Sequence, residues 1–164
     1  QREIYDLSRN PVGIIAITLI GPIAEEVSFR RGVMGSLLAT RRYRRYALVI
    51  SAAVFSIIHF NPAQIPTAFV AGLFLGWLYL RTHSLVLPIL CHILNNSMSV
   101  ALYWIPGVDA DMKIIDCFPS TLLFACAMVL SLLILAVTLY QLKRITHPQP
   151  FPVEDDELVA GSET

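Results

Sequence analysis

The distribution of charge constrains the fold of this chain more than any other feature. Across residues 10–104 the only acidic residues are Glu25 and Glu26, and across residues 46–104 the only formal charge is Arg81. The chain as a whole is 55% hydrophobic and only 15% charged, which is far from the composition of soluble domains. Because about 20 apolar residues cross the roughly 30 Å hydrocarbon layer, the sequence predicts an integral, multi-pass membrane protein whose first partner is the lipid bilayer.

Short polar or proline-marked breaks separate five apolar segments: Pro11 to Leu38, Tyr46 to Phe60, Ile65 to Leu80, Leu85 to Ile105, and Phe118 to Leu142. Inside lipid each backbone polar group needs a partner in its own segment, and the sequence lacks the alternation of a membrane β-barrel. The expected fold is therefore an all-α transmembrane bundle of about five hydrophobic helices with short loops. The second and third segments are shorter than a full span, so one or both are expected to end inside the membrane.

The chain divides by composition into three parts. Residues 1–10 are a polar N-terminal segment, residues 11–145 are the expected transmembrane domain, and residues 146–164 are an acidic, proline-containing tail. The tail has too little apolar content to fold alone, so we expect it to be disordered. Net charge is zero, and the basic residues form no groove-sized patch interleaved with surface aromatics. Nucleic acid is therefore not an expected partner.

Basic residues follow alternate segments, as the positive-inside rule requires of cytoplasmic loops. They are Arg41, Arg42, Arg44 and Arg45 after the first segment, Arg81 after the third, and Lys143 with Arg144 after the fifth. We expect these loops and the tail to be cytoplasmic, with the plasma membrane as the location. The acidic loop around Asp109, Asp111 and Asp116 is expected to lie outside.

A few ionisable and amide side chains lie within the predicted helices, where each charged one costs about 2.5–3.5 kcal/mol to insert. They are Glu25, Glu26 and Arg30 in the first segment, His59 in the second, and His92, Asn95 and Asn96 in the fourth. Residues that carry this cost usually line a cavity or perform chemistry. These seven residues are therefore the candidates for a functional site.

The spacing of these residues predicts which of them pair. Glu26 and Arg30 are four apart, in the order that favours an ion pair, whereas Glu25 is turned about 100° away. The alternative is that both carboxylates are structural and bind Arg30. One glutamate is enough to neutralise one arginine, however, so this alternative leaves the second glutamate unexplained. His92 and Asn96 share a helix face and can donate two hydrogen bonds to one oxyanion.

The alternative for His92 and Asn96 is hydrogen bonding between helices, which is also the interpretation that we favour for Asn95. For His59 the alternative is a core histidine. Together these groups suit hydrolysis, with Glu25 taking a proton from water that His59 holds. Glu25, His59 and His92 are also a zinc ligand set, but the sequence has no His-Glu-x-x-His run. Zinc stays an alternative, and no cofactor is assigned firmly.

Three blocks of sequence resemble the signatures of a known family. Glu-Glu-Val-Ser-Phe-Arg (25–30), Phe-Ser-Ile-Ile-His (55–59) and His-Ile-Leu-Asn-Asn (92–96) resemble the EExxxR, FxxxH and HxxxN motifs of the CPBP family. This family comprises the membrane-embedded CAAX proteases and bacteriocin-processing proteins related to the Rce1-type endopeptidases. The order of the motifs also matches. The resemblance implies an intramembrane endopeptidase that cleaves a membrane-associated peptide or a lipidated protein with glutamate-activated water.

The resemblance also implies residue roles: catalytic Glu25, His59, His92 and Asn96, and supporting Glu26, Arg30, Phe55 and Asn95. A metallo-type endopeptidase, a non-catalytic scaffold, a bacteriocin self-immunity or regulatory protein of the same fold, and a proton-coupled carrier are the alternatives. The chain departs from the family pattern at Arg31, where glycine is common. Five spans are also fewer than usual, so we expect further helices before the first one.

Overall fold

The computed structural model describes residues 2–105 and 114–146, and these residues form helices without a β-strand. The helices are α1 (Arg2–Leu7), α2 (Pro11–Ala39), α3 (Ala47–Ile57), α4 (Ile65–Thr82), α5 (Val86–Leu102) and α6 (Thr121–Ile145). Short 3-10 turns occur at Arg44–Tyr46 and Ile114–Cys117. The predicted all-α class is confirmed. Asp109, Asp111 and nearly all of the predicted tail lie outside the described residues.

Three of these helices, α2, α4 and α6, are long and apolar enough to cross a membrane. Helix α5 is apolar but has 17 residues, and α3 has only 11. At 1.5 Å per residue, α3 rises only about 16 Å and does not cross the hydrocarbon layer by itself. Helix α4 extends beyond its predicted end at Leu80 to Thr82, so the third segment is long enough for a span.

Helix α2 is continuous over 29 residues, but its backbone changes type along its length. Its start is capped by Asn10, whose side chain accepts a 2.9 Å hydrogen bond from the Val12 N–H, with Pro11 at the first helical position. Two stretches, Ala16–Ile20 and Val27–Met34, are π-helical. The sequence predicted a regular α-helix, with i→i+4 hydrogen bonds, throughout this segment. The two π stretches differ from it because their backbone hydrogen bonds join residues five apart.

The described residues divide into two compact units, one of Gln1–Ile23 with Leu90–His147 and one that contains Ala24–Ile89. In the second unit, α3 and α4 pack antiparallel. Where α3 ends and α4 begins, the core cluster consists of Phe29, Phe55 and Ala68. At the opposite end of the two helices, the core cluster consists of Met34, Leu38, Ala47 and Tyr79. The C-terminal half of α2 contributes to both clusters. Three helical segments thus surround the core of this unit.

In the first unit, α1 packs on the end of α5. The rings of Tyr5 and Tyr103 meet edge to face at 5.5 Å, and Trp104 Nε1 donates to the Ser8 carbonyl at 3.2 Å. Arg9 Nη2 donates to the Tyr103 carbonyl at 3.2 Å. The polar N-terminal segment is therefore partly helical and packed. Helix α6 has no buried residue, which suits a lipid-facing span because lipid is as apolar as a protein core.

Candidate active site

Glu26 and Arg30 form an ion pair inside the second unit with no exposed surface on either side chain. Arg30 Nε donates to Glu26 Oε2 at 2.8 Å, and Arg30 Nη2 donates to Glu26 Oε1 at 3.2 Å. The pairing predicted from the spacing is confirmed. Such two-point contacts fix direction as well as charge. Both carboxylate oxygens of Glu26 therefore bind the guanidinium, which makes this residue a brace for Arg30.

Phe55 joins the ion pair to the imidazole of His59. The guanidinium carbon of Arg30 lies 5.4 Å from the centroid of the Phe55 ring, within cation–π range. The same ring meets Phe29 edge to face at 5.3 Å and His59 at 5.0 Å. Phe55 is only 2% exposed, so its position is set on every side by packing. The second unit thus brings together four of the predicted residues: Glu26, Arg30, Phe55 and His59.

The His59 imidazole has one defined tautomer. Its Nδ1 lies 2.9 Å from the Phe55 carbonyl oxygen, which can only accept a hydrogen bond. Nδ1 therefore carries the proton, and in the neutral ring Nε2 keeps its lone pair. The next residue, Phe60, has a left-handed backbone with φ 50°. That conformation costs a non-glycine residue about 1–2 kcal/mol, and such strain is concentrated at functional sites.

Glu25 lies at the point where α2 changes from α- to π-helical geometry. The α-helical stretch Gly21–Glu26 ends directly after it, and the π stretch begins at Val27. Its side chain is half-buried, and its Oε2 atom is shielded from solvent. Because π turns are frequent at functional sites, this position supports Glu25 as a candidate.

Asn96 lies in α5 of the first unit, and its side chain bonds to α2. Its Nδ2 donates to the Ile17 carbonyl at 3.0 Å, and Ile17 is part of the first π stretch. Hydrogen bonding between helices, the alternative use of this residue, is therefore present. The amide has a second N–H on Nδ2, which an oxyanion role would use. His92 lies one turn earlier on the same face and is buried, with 7% exposure.

The interpretation of Asn95 as a contact between helices stays a prediction, since the hydrogen bond that its amide donates among the described residues lies within α5. Asn95 is exposed, and its Nδ2 donates to Oδ1 of the neighbouring Asn96 at 3.2 Å. Adjacent residues in a helix are rotated by about 100°, so Asn95 points away from α2 when Asn96 faces it. The bond instead orients the Asn96 amide, since Oδ1 accepts from Asn95 while Nδ2 points to Ile17.

Sequence reasoning missed small residues that surround the ion pair. An added Cβ at Gly72 would lie 3.1 Å from Ala52 Cα and 3.2 Å from a ring carbon of Phe55. One at Gly76 would lie 2.6 Å from a Leu48 methyl and 3.6 Å from Arg30 Nη1. The spacing Gly-x-x-x-Gly in an apolar helix was the available signal. The hydroxyl of buried Ser51 also donates to the Phe29 carbonyl at 3.3 Å, tying α3 to α2.

The zinc alternative depends on whether possible ligands lie together. Among the residues that the structure describes, no three His, Cys, Asp or Glu side chains cluster as metal ligands. The second unit offers one site imidazole, that of His59, and Glu26 already binds Arg30. Neither unit therefore assembles a zinc site from its own described residues.

Comparison with known proteins places this geometry in a family. The family model described as "Type II CAAX prenyl endopeptidase Rce1-like" matches residues 8–98, which is more than half of the chain. YdiL of Bacillus subtilis (strain 168), whose name proposes a membrane peptidase, is 30% identical over 92 residues, which cover 56% of this chain and 37% of YdiL. MroQ of Staphylococcus aureus (strain USA300), named a membrane-embedded CAAX protease, is 30% identical over 95 residues, or 55% of this chain and 38% of MroQ.

The chain thus spans less than two fifths of the length of these two relatives. No solved structure matches it. The family match covers all three sequence blocks, at residues 25–30, 55–59 and 92–96, and the resemblance drawn from them is confirmed. The chain belongs to the Rce1-like family of type II CAAX prenyl endopeptidases.

Proposed function

We propose that this chain carries the catalytic residues of an intramembrane endopeptidase that hydrolyses a peptide bond in a membrane-associated protein or peptide. The observation that carries the proposal is the orientation of His59. Its Nδ1 is held by the Phe55 carbonyl, and its Nε2 is left as an acceptor for a water proton. The Phe55 ring contacts Arg30 and Phe29, so the imidazole of His59 is positioned by a residue that is itself held by buried neighbours. Preorganisation of this kind is what a catalytic group requires.

The roles divide the chemistry of amide hydrolysis among four groups. The Glu25 carboxylate takes a proton from water while Nε2 of His59 accepts a hydrogen bond from that same water. The oxygen attacks the carbonyl carbon, and the resulting oxyanion accepts hydrogen bonds from His92 and from the second Nδ2–H of Asn96. The C–N bond then breaks, and the proton on Glu25 passes to the leaving amine. Glu26 is not the base in this scheme, because Arg30 occupies both of its oxygens.

The substrate and the setting are proposed at a coarser level. The family description supports a peptide or lipidated-protein substrate near a CAAX-type end. We place the protein in the plasma membrane, with its basic loops and its tail on the cytoplasmic side. The second unit supports this orientation. Its core cluster joins Leu38 and Ala47 to Tyr79, so the turn with Arg41 and the end of α4 with Arg81 lie at one end of the unit.

The test is cleavage by the full chain in proteoliposomes, with a quenched fluorescent peptide that carries a farnesylated C-terminal Cys-aliphatic-aliphatic-X sequence as the probe. Glu25→Gln keeps the size of the side chain and removes the base, so kcat is expected to fall about 10²–10⁴-fold. The matched control is Asp116→Asn, which also exchanges one acid for its amide at an exposed position outside the site. This control is expected to cleave like the wild type.

Three outcomes separate the alternatives. Wild-type cleavage by Glu25→Gln would show that another group activates the water. Loss of activity with a strong chelator and its return with zinc would replace the carboxylate mechanism by a metal-dependent one. A non-catalytic scaffold, immunity or regulatory protein predicts that a Glu25→Gln, His59→Ala double variant keeps its cellular phenotype, whereas the protease predicts that the phenotype is lost.

A further inference from the structure

A cluster of side chains joins the residues before α2 to the residues after α5, and it has no part in the proposed hydrolysis. The cluster, which we call the clasp, consists of Tyr5, Ser8, Arg9, Tyr103 and Trp104. The Arg9 guanidinium carbon lies 4.9 Å from the Tyr5 ring centroid and 5.5 Å from the Trp104 ring centroid. Arg9 Nη2 also donates to the Tyr5 hydroxyl at 2.8 Å and to the Tyr103 carbonyl at 3.2 Å. One guanidinium thus contacts both sides of the clasp.

Backbone contacts hold one side of the clasp against the start of α2. Ser8 has no exposed surface, and its hydroxyl donates to the Tyr5 carbonyl at 2.6 Å. The Asn10 N–H donates to the Leu7 carbonyl at 3.1 Å, and the Asn10 side chain caps α2. At Gly13 the two backbones touch, since an added Cβ would lie 2.9 Å from the Leu7 carbonyl carbon. These contacts fix the position of Ser8 relative to α2.

One row of side chains, spaced by four residues along α5, includes both donors that bond to the chain around α2. Such spacing forms a ridge on one side of a helix. The row consists of His92, Asn96, Val100 and Trp104, the last of them just beyond the helix end. Trp104 Nε1 donates to the Ser8 carbonyl at 3.2 Å, and Asn96 Nδ2 donates to the Ile17 carbonyl at 3.0 Å. The clasp and the candidate site residue Asn96 therefore lie on the same row.

The two hydrogen bonds are spaced equally along the two helices. Ile17 lies six residues after Pro11, where α2 begins, and Asn96 lies six residues before Leu102, where α5 ends. At 1.5 Å per residue, each of these distances is about 9 Å. The bond between Trp104 and Ser8 lies just beyond both helix ends, so the two helices run antiparallel between the bonds. Two bonds at matching separations limit how far the helices can slide, and the clasp therefore holds the register of α5 against α2.

We propose that the clasp positions Asn96: it sets the register of α5 against α2 and thereby the direction of the second Nδ2–H of Asn96. The Asn96 amide is held at two atoms, since Oδ1 accepts from Asn95 and Nδ2 donates to the Ile17 carbonyl. A shift of α5 along α2 therefore changes the direction of the remaining N–H. Trp104 and Arg9 are positioning residues, because they act through Asn96. The effect on catalysis rests on the proposed function, in which this N–H stabilises the oxyanion.

The first measurement observes the Asn96 amide by NMR and does not depend on activity. The full chain has four asparagines, so ¹⁵N-asparagine labelling in nanodiscs gives four pairs of side-chain amide resonances, and Asn96→Asp assigns one pair. Trp104→Phe keeps a ring and removes the N–H that bonds to Ser8. It is expected to shift the Asn96 resonances and to raise their hydrogen exchange about two- to tenfold, the effect of one hydrogen bond on an equilibrium. The matched control, Trp77→Phe, removes the other indole N–H of the chain, in the second unit, and is expected to leave these resonances unchanged.

The second measurement is a double-mutant cycle in the peptide cleavage assay. Trp104→Phe is expected to lower kcat about tenfold, because a misplacement of about 1 Å costs up to about 10²-fold. KM should change less than about twofold, since the oxyanion exists only after the substrate is bound. In an Asn96→Ala background the same substitution is expected to change kcat less than about twofold, because Trp104 acts through Asn96. A merely structural role of Trp104 would lower kcat equally in both backgrounds.

These two measurements separate failure of the positioning role from failure of the proposed function. Unshifted Asn96 resonances in Trp104→Phe would overturn the positioning role, and so would equal losses of kcat in the two backgrounds. If Asn96→Ala cleaves like the wild type, the oxyanion role in the proposed function fails, and the NMR measurement alone decides whether the clasp orients Asn96. If Trp104→Phe does not fold, Arg9→Lys keeps the charge at an exposed position and removes the planar guanidinium. It is expected to shift the same resonances, and unchanged resonances would contradict the proposal.

Discussion

Removing one member of the Glu26–Arg30 pair is expected to destabilise the protein more than removing both members. Each side chain is fully buried, and two hydrogen bonds at 2.8 and 3.2 Å join them. Deleting one partner of such a pair leaves a buried charge and typically costs about 3–5 kcal/mol. Replacing both by apolar side chains of similar volume is often neutral or stabilising. The free energy of unfolding of the double variant is therefore expected to be close to that of the wild type, and those of both single variants are expected to be far lower.

The structure indicates why the double variant should be tolerated. Arg30 Nη1 is buried and has no hydrogen-bond partner among the described residues, so the native pair is not fully satisfied. In the wild type the Phe55 ring faces the Arg30 guanidinium. In Arg30→Met the new side chain is expected to keep an apolar contact with that ring. Glu26→Leu fills the volume of the carboxylate. Each single variant is expected to lose about 3–5 kcal/mol, and the double variant is expected to lie within about 1 kcal/mol of the wild type.

The measurement is a double-mutant cycle of reversible unfolding in mixed micelles, followed by circular dichroism and by the fluorescence of Trp77 and Trp104. Trp77 lies in α4 of the second unit and reports on the unfolding of that unit, whereas Trp104 lies in the first unit. A cost below about 1 kcal/mol for Glu26→Leu would refute full burial of the pair. Additive losses in the double variant would refute the claim that the two charges depend on each other.

Two further predictions concern positions outside the ion pair. Phe55→Leu removes the ring that contacts both Arg30 and His59, so kcat in the peptide assay should fall about tenfold or more while KM is unchanged. The free energy of unfolding should fall by less than about 1.5 kcal/mol. An unchanged kcat would show that Phe55 does not position His59. Phe60→Gly should raise stability by about 0.5–1 kcal/mol in the same unfolding assay, because Phe60 has a left-handed backbone with φ 50° and a side chain that is 88% exposed, and a decrease would contradict the reasoning.

The sequence predicted the helices and the ion pair because both depend on interactions between near neighbours. Apolar runs of helical length identify spans through the cost of burying polar backbone. A spacing of four residues identifies Glu26 and Arg30 as partners on one helix, and the structure places them as predicted. The catalytic roles of Glu25, His59, His92 and Asn96 stay predictions, to be tested by the activity measurements above.

The π stretches of α2 and the partner of Asn96 were beyond the reach of the sequence. An i→i+5 turn leaves no local signature in composition, and a side chain that bonds to one of its carbonyls can come from a residue distant in the chain. The Ile17 carbonyl, within one π stretch, accepts its 3.0 Å bond from Asn96, 79 residues later. The choice between Asn95 and Asn96 depended on which face of α5 meets α2, and the spacing of two adjacent residues does not decide it.

The glycines of α4 were visible in the sequence, but they carry no costly polar group and so did not mark a site. Gly72 lets the backbone of α4 approach Ala52 and the ring of Phe55, and Gly76 leaves room beside Arg30 Nη1. Without that approach, Phe55 would not be fixed against the guanidinium, and the carbonyl that holds His59 Nδ1 belongs to this same residue. Residues without a functional group thus determine the orientation of the imidazole. In a membrane, where lipid competes equally for apolar surface, such small side chains are what allows helices to close around a polar group.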